Sequence, residues 1–104
     1  MPSGLVLSLQ EVRVEDVAGV GRIARFRYVS AALDGMGFAA VEEDFPVLCT
    51  AQVLPWVAGQ PEVPVRVVIS LAAAPVDFGT SAPEVTQYFE VFRLEDAACI
   101  WEGL

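Results

Sequence analysis

Residues 65–73 read VRVVISLAA, and the fold turns on whether this run is strand or helix. Val65, Val67, Val68 and Ile69 are β-branched, a class that loses side-chain freedom in a helix and packs well on a pleated surface. Arg66 is the only charge, and both faces are otherwise largely apolar. Such a run is expected as a central strand, with neighbours on either side.

The flanking sequence supplies those neighbours. In LVLSLQEVRVE (5–15), Leu5, Leu7 and Leu9 share a face; the phase then slips, and Val12 and Val14 take the inward positions. A one-residue slip in a period-two pattern predicts a β-bulge near Gln10–Glu11. VAGVG (17–21) reads as a turn, and RIARFRYVS (22–30) as the returning strand of a hairpin. Ala24, Phe26 and Tyr28 line one face of that strand, and Arg25 and Arg27 the other. LDGMGF (33–38) is a loop, and FAAVEE (38–43) reads as a short third strand.

One helix is expected, from Asp44 to about Leu54. Asp44 suits an N-cap and Pro46 is tolerated in the first turn. Phe45, Leu48, Cys49, Val53 and Trp56 then recur at spacings of three and four, which gives one apolar stripe. Pro55 ends or kinks this helix. After the central strand, APVDFGTSAPEV (74–85) is the longest irregular stretch, in which Ser81 and Glu84 suit a capping box for one helical turn. TQYFEVFRLE (86–95), a turn at Asp96–Ala97 and CIWE (99–102) form a closing hairpin. The fold expected is α+β: an antiparallel sheet of four to six strands with one main helix packed on one face, in a single domain over residues 1–104.

Cys49 lies on the inward stripe of that helix and Cys99 opens the last strand. They are the only cysteines, and a helix covering a sheet brings such positions together, so a disulfide is expected. Trp101 and Ile100 are out of phase, one facing the core and the other the opposite side of the sheet.

Composition narrows the function. The net charge of −8 repels a phosphate backbone and an anionic membrane surface, so no nucleic-acid partner is expected. Asp34, Arg66 and Asp77 interrupt the best apolar windows, so no membrane span is expected either. All six basic residues are arginine, and the chain has no histidine. A Ser-His-Asp triad, a Cys-His pair and a histidine metal site are thereby excluded. Hydrophobic residues make up 55% of the chain, and the eight glycines raise the apolar share to roughly 63%, against about 45–50% in average domains. A protein partner or homodimer surface would accommodate that excess. The opening MPSGLVLSLQEV lacks a basic leader region, and Met1 suits a start codon placed before a mature secreted chain as well as a native start.

The closing TQYFEVFRLEDAACIWEGL (86–104), with VVISLAAAPVDFG (67–79) and DFPVLC (44–49), resembles a family of small uncharacterised alphaproteobacterial proteins. The pattern that carries it is Gln87, Phe89-Glu90, Arg93 and Cys99-Ile100-Trp101-Glu102-Gly103. Where that family tends to glycine in the final turn, this chain has Ala97. The resemblance implies export to the periplasm, the alternative being a cytoplasmic location, and it brings no activity. Some members carry a label naming acetolactate synthase, a thiamine-diphosphate activity that 104 residues cannot house.

Each chemical candidate competes with a plainer role. Glu42, Glu43 and Asp44 lack the spacing of a calcium loop and suit a solvated helix start. Arg25 and Arg27 could grip a carboxylate ligand, or pair across strands with Glu11, Glu90 or Glu95. Glu90, between Phe89 and Val91, could be a buried acid or a strand-edge carboxylate. Asp77-Phe78-Gly79 matches a kinase triplet only by letters, and the cysteines lack the spacing of a redox pair. No catalytic residue, metal or cofactor is therefore expected. Two functions remain: a non-enzymatic periplasmic interaction or accessory module that docks a partner by an apolar sheet face or the 73–86 loop, or a small-ligand-binding domain or minor enzyme with a pocket between helix and sheet. A flat exposed apolar patch favours the first, and a concave pocket with convergent Arg and Glu the second.

Overall fold

The computed structural model describes residues 1–102. Five strands form one sheet in chain order: β1 (Ser8–Val17), β2 (Gly21–Val29), β3 (Arg66–Ala72), β4 (Gln87–Glu95) and β5 (Ala98–Glu102). β3 is the central strand that VRVVISLAA demands. The register of β1 on β2 slips between Leu9 and Glu11, which places the bulge at Gln10 as the phase change requires.

The sheet is mixed rather than wholly antiparallel. β2 runs parallel to β3, with Phe26 beside Ile69 and Tyr28 beside Leu71, and the other three pairs are antiparallel. A parallel pair needs a crossover, and the helical segment between β2 and β3 supplies it. At the start of this seam the Val65 N–H donates to the Arg22 carbonyl at 2.9 Å. Gly21 sits there at φ +119°, and a Cβ on it would lie 3.3 Å from the Val65 side chain.

FAAVEE is helical, not a strand: α1 covers Phe38–Val41. Ala39 and Ala40 favour a helix, and Phe38, Val41 and Phe45 continue the apolar stripe at spacings of three and four. The main helix follows as α2 (Asp44–Leu48), a π-helical turn (Cys49–Val53) and α3 (Leu54–Ala58). Pro55 has no N–H to donate, and the chain absorbs it by widening the preceding turn, where Leu54 N–H bonds to the Cys49 carbonyl. The helix therefore runs past Pro55 instead of stopping at Leu54. Residues 81–84 form no helical turn; a β-turn bonds Val85 N–H to the Ala82 carbonyl at 3.0 Å.

One sheet face meets this helix. Ala24, Phe26, Tyr28, Val67, Ile69, Leu71 and Phe92 are buried against Val41, Phe45, Leu48, Cys49 and Val53. Cys49 is bonded to Cys99 with their Cα atoms 6.3 Å apart, which ties the middle of the helix to β5. Trp101 shares this face and packs on Phe92 at 5.7 Å between ring centroids. Asp44 is no N-cap: it is the first helical residue, no side chain caps this helix start, and its carboxylate is wholly buried. It accepts the Ser3 N–H at 2.9 Å and the Ser3 hydroxyl, pinning the N-terminal segment over the core. The three adjacent acids therefore do not converge, with Glu43 exposed and Asp44 turned inward.

Candidate functional site

The opposite sheet face, the open face, carries the alternate side chains of every strand. On β1 and β2 these are charged: Glu11, Arg13 and Glu15 beside Arg27 and Arg25. Across β3 and β4 they turn apolar, with Val68 beside Val91 and Ser70 beside Phe89. The segment after β3 folds back over this face and makes a groove of about 410 Å³. Arg25, Val68, Ser70, Phe89 and Val91 floor it, and residues 76–80 wall it.

The wall is held by the bulge. Gln10, freed from strand pairing, donates its side-chain N–H to the Val76 carbonyl at 3.1 Å, and Arg27 Nη2 donates to the same oxygen at 2.5 Å. Phe78 then lies under three guanidinium groups, with Cζ of Arg13, Arg25 and Arg27 at 4.3, 5.4 and 5.5 Å from its centroid. Cations favour the negative face of such a ring. Half the arginines of an acidic chain gather here.

Two carboxylates pair with them, and a third, Asp77, stands on the groove wall. Arg27 pairs with Glu11 and its side chain is only 12% exposed; Arg25 Nε donates to Glu15 at 2.7 Å. The cross-strand pairing expected of these arginines is thus made, with Glu15 in place of Glu90 or Glu95. Arg25 uses Nε alone, so Nη1 and Nη2 have no hydrogen-bond partner among the described residues. Farther out, Arg22 bridges Asp16 and Glu62. The hydrogen bond and charge of Arg22 lower the Asp16 pKa, and Asp16 in turn raises that of Arg22.

Glu90 does not join Arg25 and Arg27. It lies on the helix face opposite Ile69, where it accepts the Trp101 Nε1–H at 2.9 Å. A cavity of about 270 Å³ opens near the helix C-terminus between Leu54, Val57 and Leu94, with Glu95 and Asp96 but no arginine on its walls. Phe78 went unrecognised in the sequence, although an aromatic inside the longest irregular stretch signals a loop that packs on something.

Beyond the groove the open face turns charged again, with Arg93 and the Arg66–Glu102 pair between Val91 and Ile100. Phe89 is 56% exposed and Ile100 39%, both on the open face. Among the described residues, no three metal-ligating side chains cluster and no helix is long and apolar enough to cross a membrane. The class defined is an α+β domain with one disulfide-braced face and one open, arginine-lined face. The whole chain, residues 1–104, matches the model of a family of unknown function, DUF6497, and belongs to that family. No curated protein and no solved structure matches it.

Proposed function

We propose that this domain is a non-enzymatic accessory module of the periplasm that docks a partner protein on the open face of its sheet. The observation that carries this reading is Phe89, 56% exposed beside the half-buried Val68 and Val91 on a face that no helix covers. The disulfide supports an oxidising compartment. The groove supplies charge and hydroxyls, but the chain has no histidine or lysine to serve as base for Ser70 or Thr80. A second reading, a small-ligand site, has the volume of the groove in its favour.

A photo-crosslinking residue at position 89, in cells expressing the native gene, tests the docking reading against the same probe at Glu43. The expected result is one major protein adduct at 89 and none at 43. No adduct at 89 across growth conditions would reject it. Trapping of free thiols in a periplasmic fraction tests location, with both cysteines expected to resist alkylation.

A further inference from the structure

We infer that the outer face of the helix over 44–58 pairs with the same face of a second copy of this chain, helix crossing helix. This side of the domain is opposite to the open face, so the contact is independent of docking there. From Phe45 to Pro61 no residue is charged, although charged residues make up 19% of the chain. Phe45, Leu48, Cys49 and Val53 turn inward to the sheet. Val47, Thr50, Ala51, Pro55 and Ala58 turn outward and are exposed, Val47 at 39%. The amide of Gln52, also exposed, has its oxygen engaged by the Tyr28 hydroxyl at 2.8 Å. A surface helix keeps a charged face toward water; one without it is a helix with both sides covered.

Three observations select the second copy. The first is charge. Each chain carries −8, and a two-fold contact sets residues near the axis opposite their own copies, so any charge there meets its like. A different protein can be met with complementary charge, whereas at the axis an identical chain is met without any. Among the described residues, β1, β5 and the open face all carry charge, and the outer helix face carries none. The second is shape. Pro46, Val47, Thr50 and Ala51 line a shallow hollow of about 400 Å³. Positions 46 and 50 belong to one ridge of the helix and 47 and 51 to the next, and the hollow is the groove between them. The same ridge of an identical helix fits that groove when the axes cross at about 50° and lie about 8–10 Å apart, and the short side chains of Thr50 and Ala51 permit this approach. The third is the rim. Glu42 and Glu43 precede the face and Glu62 follows it, so neither end offers the basic residues that seat an apolar helix on a membrane. With the crossing at Thr50 and Ala51, the angle carries each Glu43, two turns away, clear of the other copy. The two sheets then lie outermost, and both open faces stay bare.

Sedimentation equilibrium of the oxidised protein, from micromolar to millimolar concentration, tests this. The mass should rise from 11.2 kDa toward twice that value. Added salt should favour the dimer, since it screens the −8 on each chain and the contact holds no ion pair to lose. Ala51→Glu sets like charges opposite each other at the axis and should weaken association roughly tenfold or more. Val20→Glu, the same charge added in the exposed β1–β2 turn, should leave it unchanged. An equimolar mixture of Ala51→Glu and Ala51→Lys should associate more tightly than either alone, because position 51 faces itself. A mass of 11.2 kDa throughout, a dimer indifferent to Ala51→Glu, or a mixture no tighter than its components would overturn the inference. A dimer that salt dissolves would do the same and would assign self-association to paired charges such as those of β1. So would a monomer that binds phosphatidylcholine vesicles and loses them in Ala51→Glu, which would give this face to a membrane.

Discussion

The two faces of the sheet use the same strands for opposite ends. On the helix face, polar groups are few and each has a fixed partner: Asp44 on Ser3, Tyr28 on Gln52, Glu90 on Trp101. On the open face, polar groups are many, and the terminal nitrogens of Arg25 have no partner among the described residues. Alternation along β2 alone separates the two, with Ala24, Phe26 and Tyr28 against Arg25 and Arg27. The difference teaches that alternate residues of one strand can be given separate surroundings, a closed core on one side and open charge on the other, so that substitutions should divide cleanly between the faces.

The largest effect should come from the disulfide. Replacing both cysteines with alanine opens a cross-link spanning 50 positions and should cost about 4 kcal/mol by loop-closure entropy, read by urea unfolding. Amide shifts of Ser70 and Phe89 should stay in place; if they move widely, the faces are not independent. Next in size is Ser3→Ala. It strips the hydroxyl from a buried carboxylate and should cost about 2 kcal/mol in thermal melts.

Tyr28 gives a pH test of the helix face. Burial raises its pKa from 10.0 to about 12, because the phenolate is disfavoured in the core. The folded state then holds this proton where the unfolded chain releases it. Its contribution is complete below pH 10 and is lost as pH rises from 10 toward 12. Tyr28→Phe should remove that alkaline slope from the stability curve, and should cost about 1 kcal/mol near neutrality through the Gln52 hydrogen bond.

Of similar size is a gain. Asp96 and Ala97 have φ of +50° and +59°, as a two-residue hairpin turn requires. Alanine is strained there, so Ala97→Gly should stabilise by about 1 kcal/mol, seen as a raised Tm. Phe78→Ala should cost less than about 1 kcal/mol, since the ring is 42% exposed, yet should speed amide exchange across residues 76–80. A large stability loss there would show that the open face also carries the fold.

Periodicity made much of this legible. The bulge at Gln10, the hairpins, the central strand and the Cys49–Cys99 pair all follow from which residues share a face. The direction of β2 beside β3 does not, because a strand buried on both sides reads the same whether its neighbour is parallel or antiparallel. FAAVEE misled because six residues support either period, and the decisive contact, Val41 with Phe45, lies at its edge. Of the site, Arg25 and Arg27 were visible as a charged face. Their placement over Phe78 was not, since it depends on a loop returning across the sheet, which no local pattern encodes.

The order of the sheet has a kinetic consequence. β1 with β2, and β3 with β4 and β5, are units whose antiparallel pairings are each closed by a direct connection. Hairpins of this kind form on the order of microseconds. The parallel seam between β2 and β3 must first close the intervening chain, residues 30–65, and its entropy is lost before any contact repays it. Joining of the two units at that seam should therefore limit the folding rate. The Cys49–Cys99 bond links the crossover helix to the second unit, so a chain oxidised before folding begins the search with its halves already tethered.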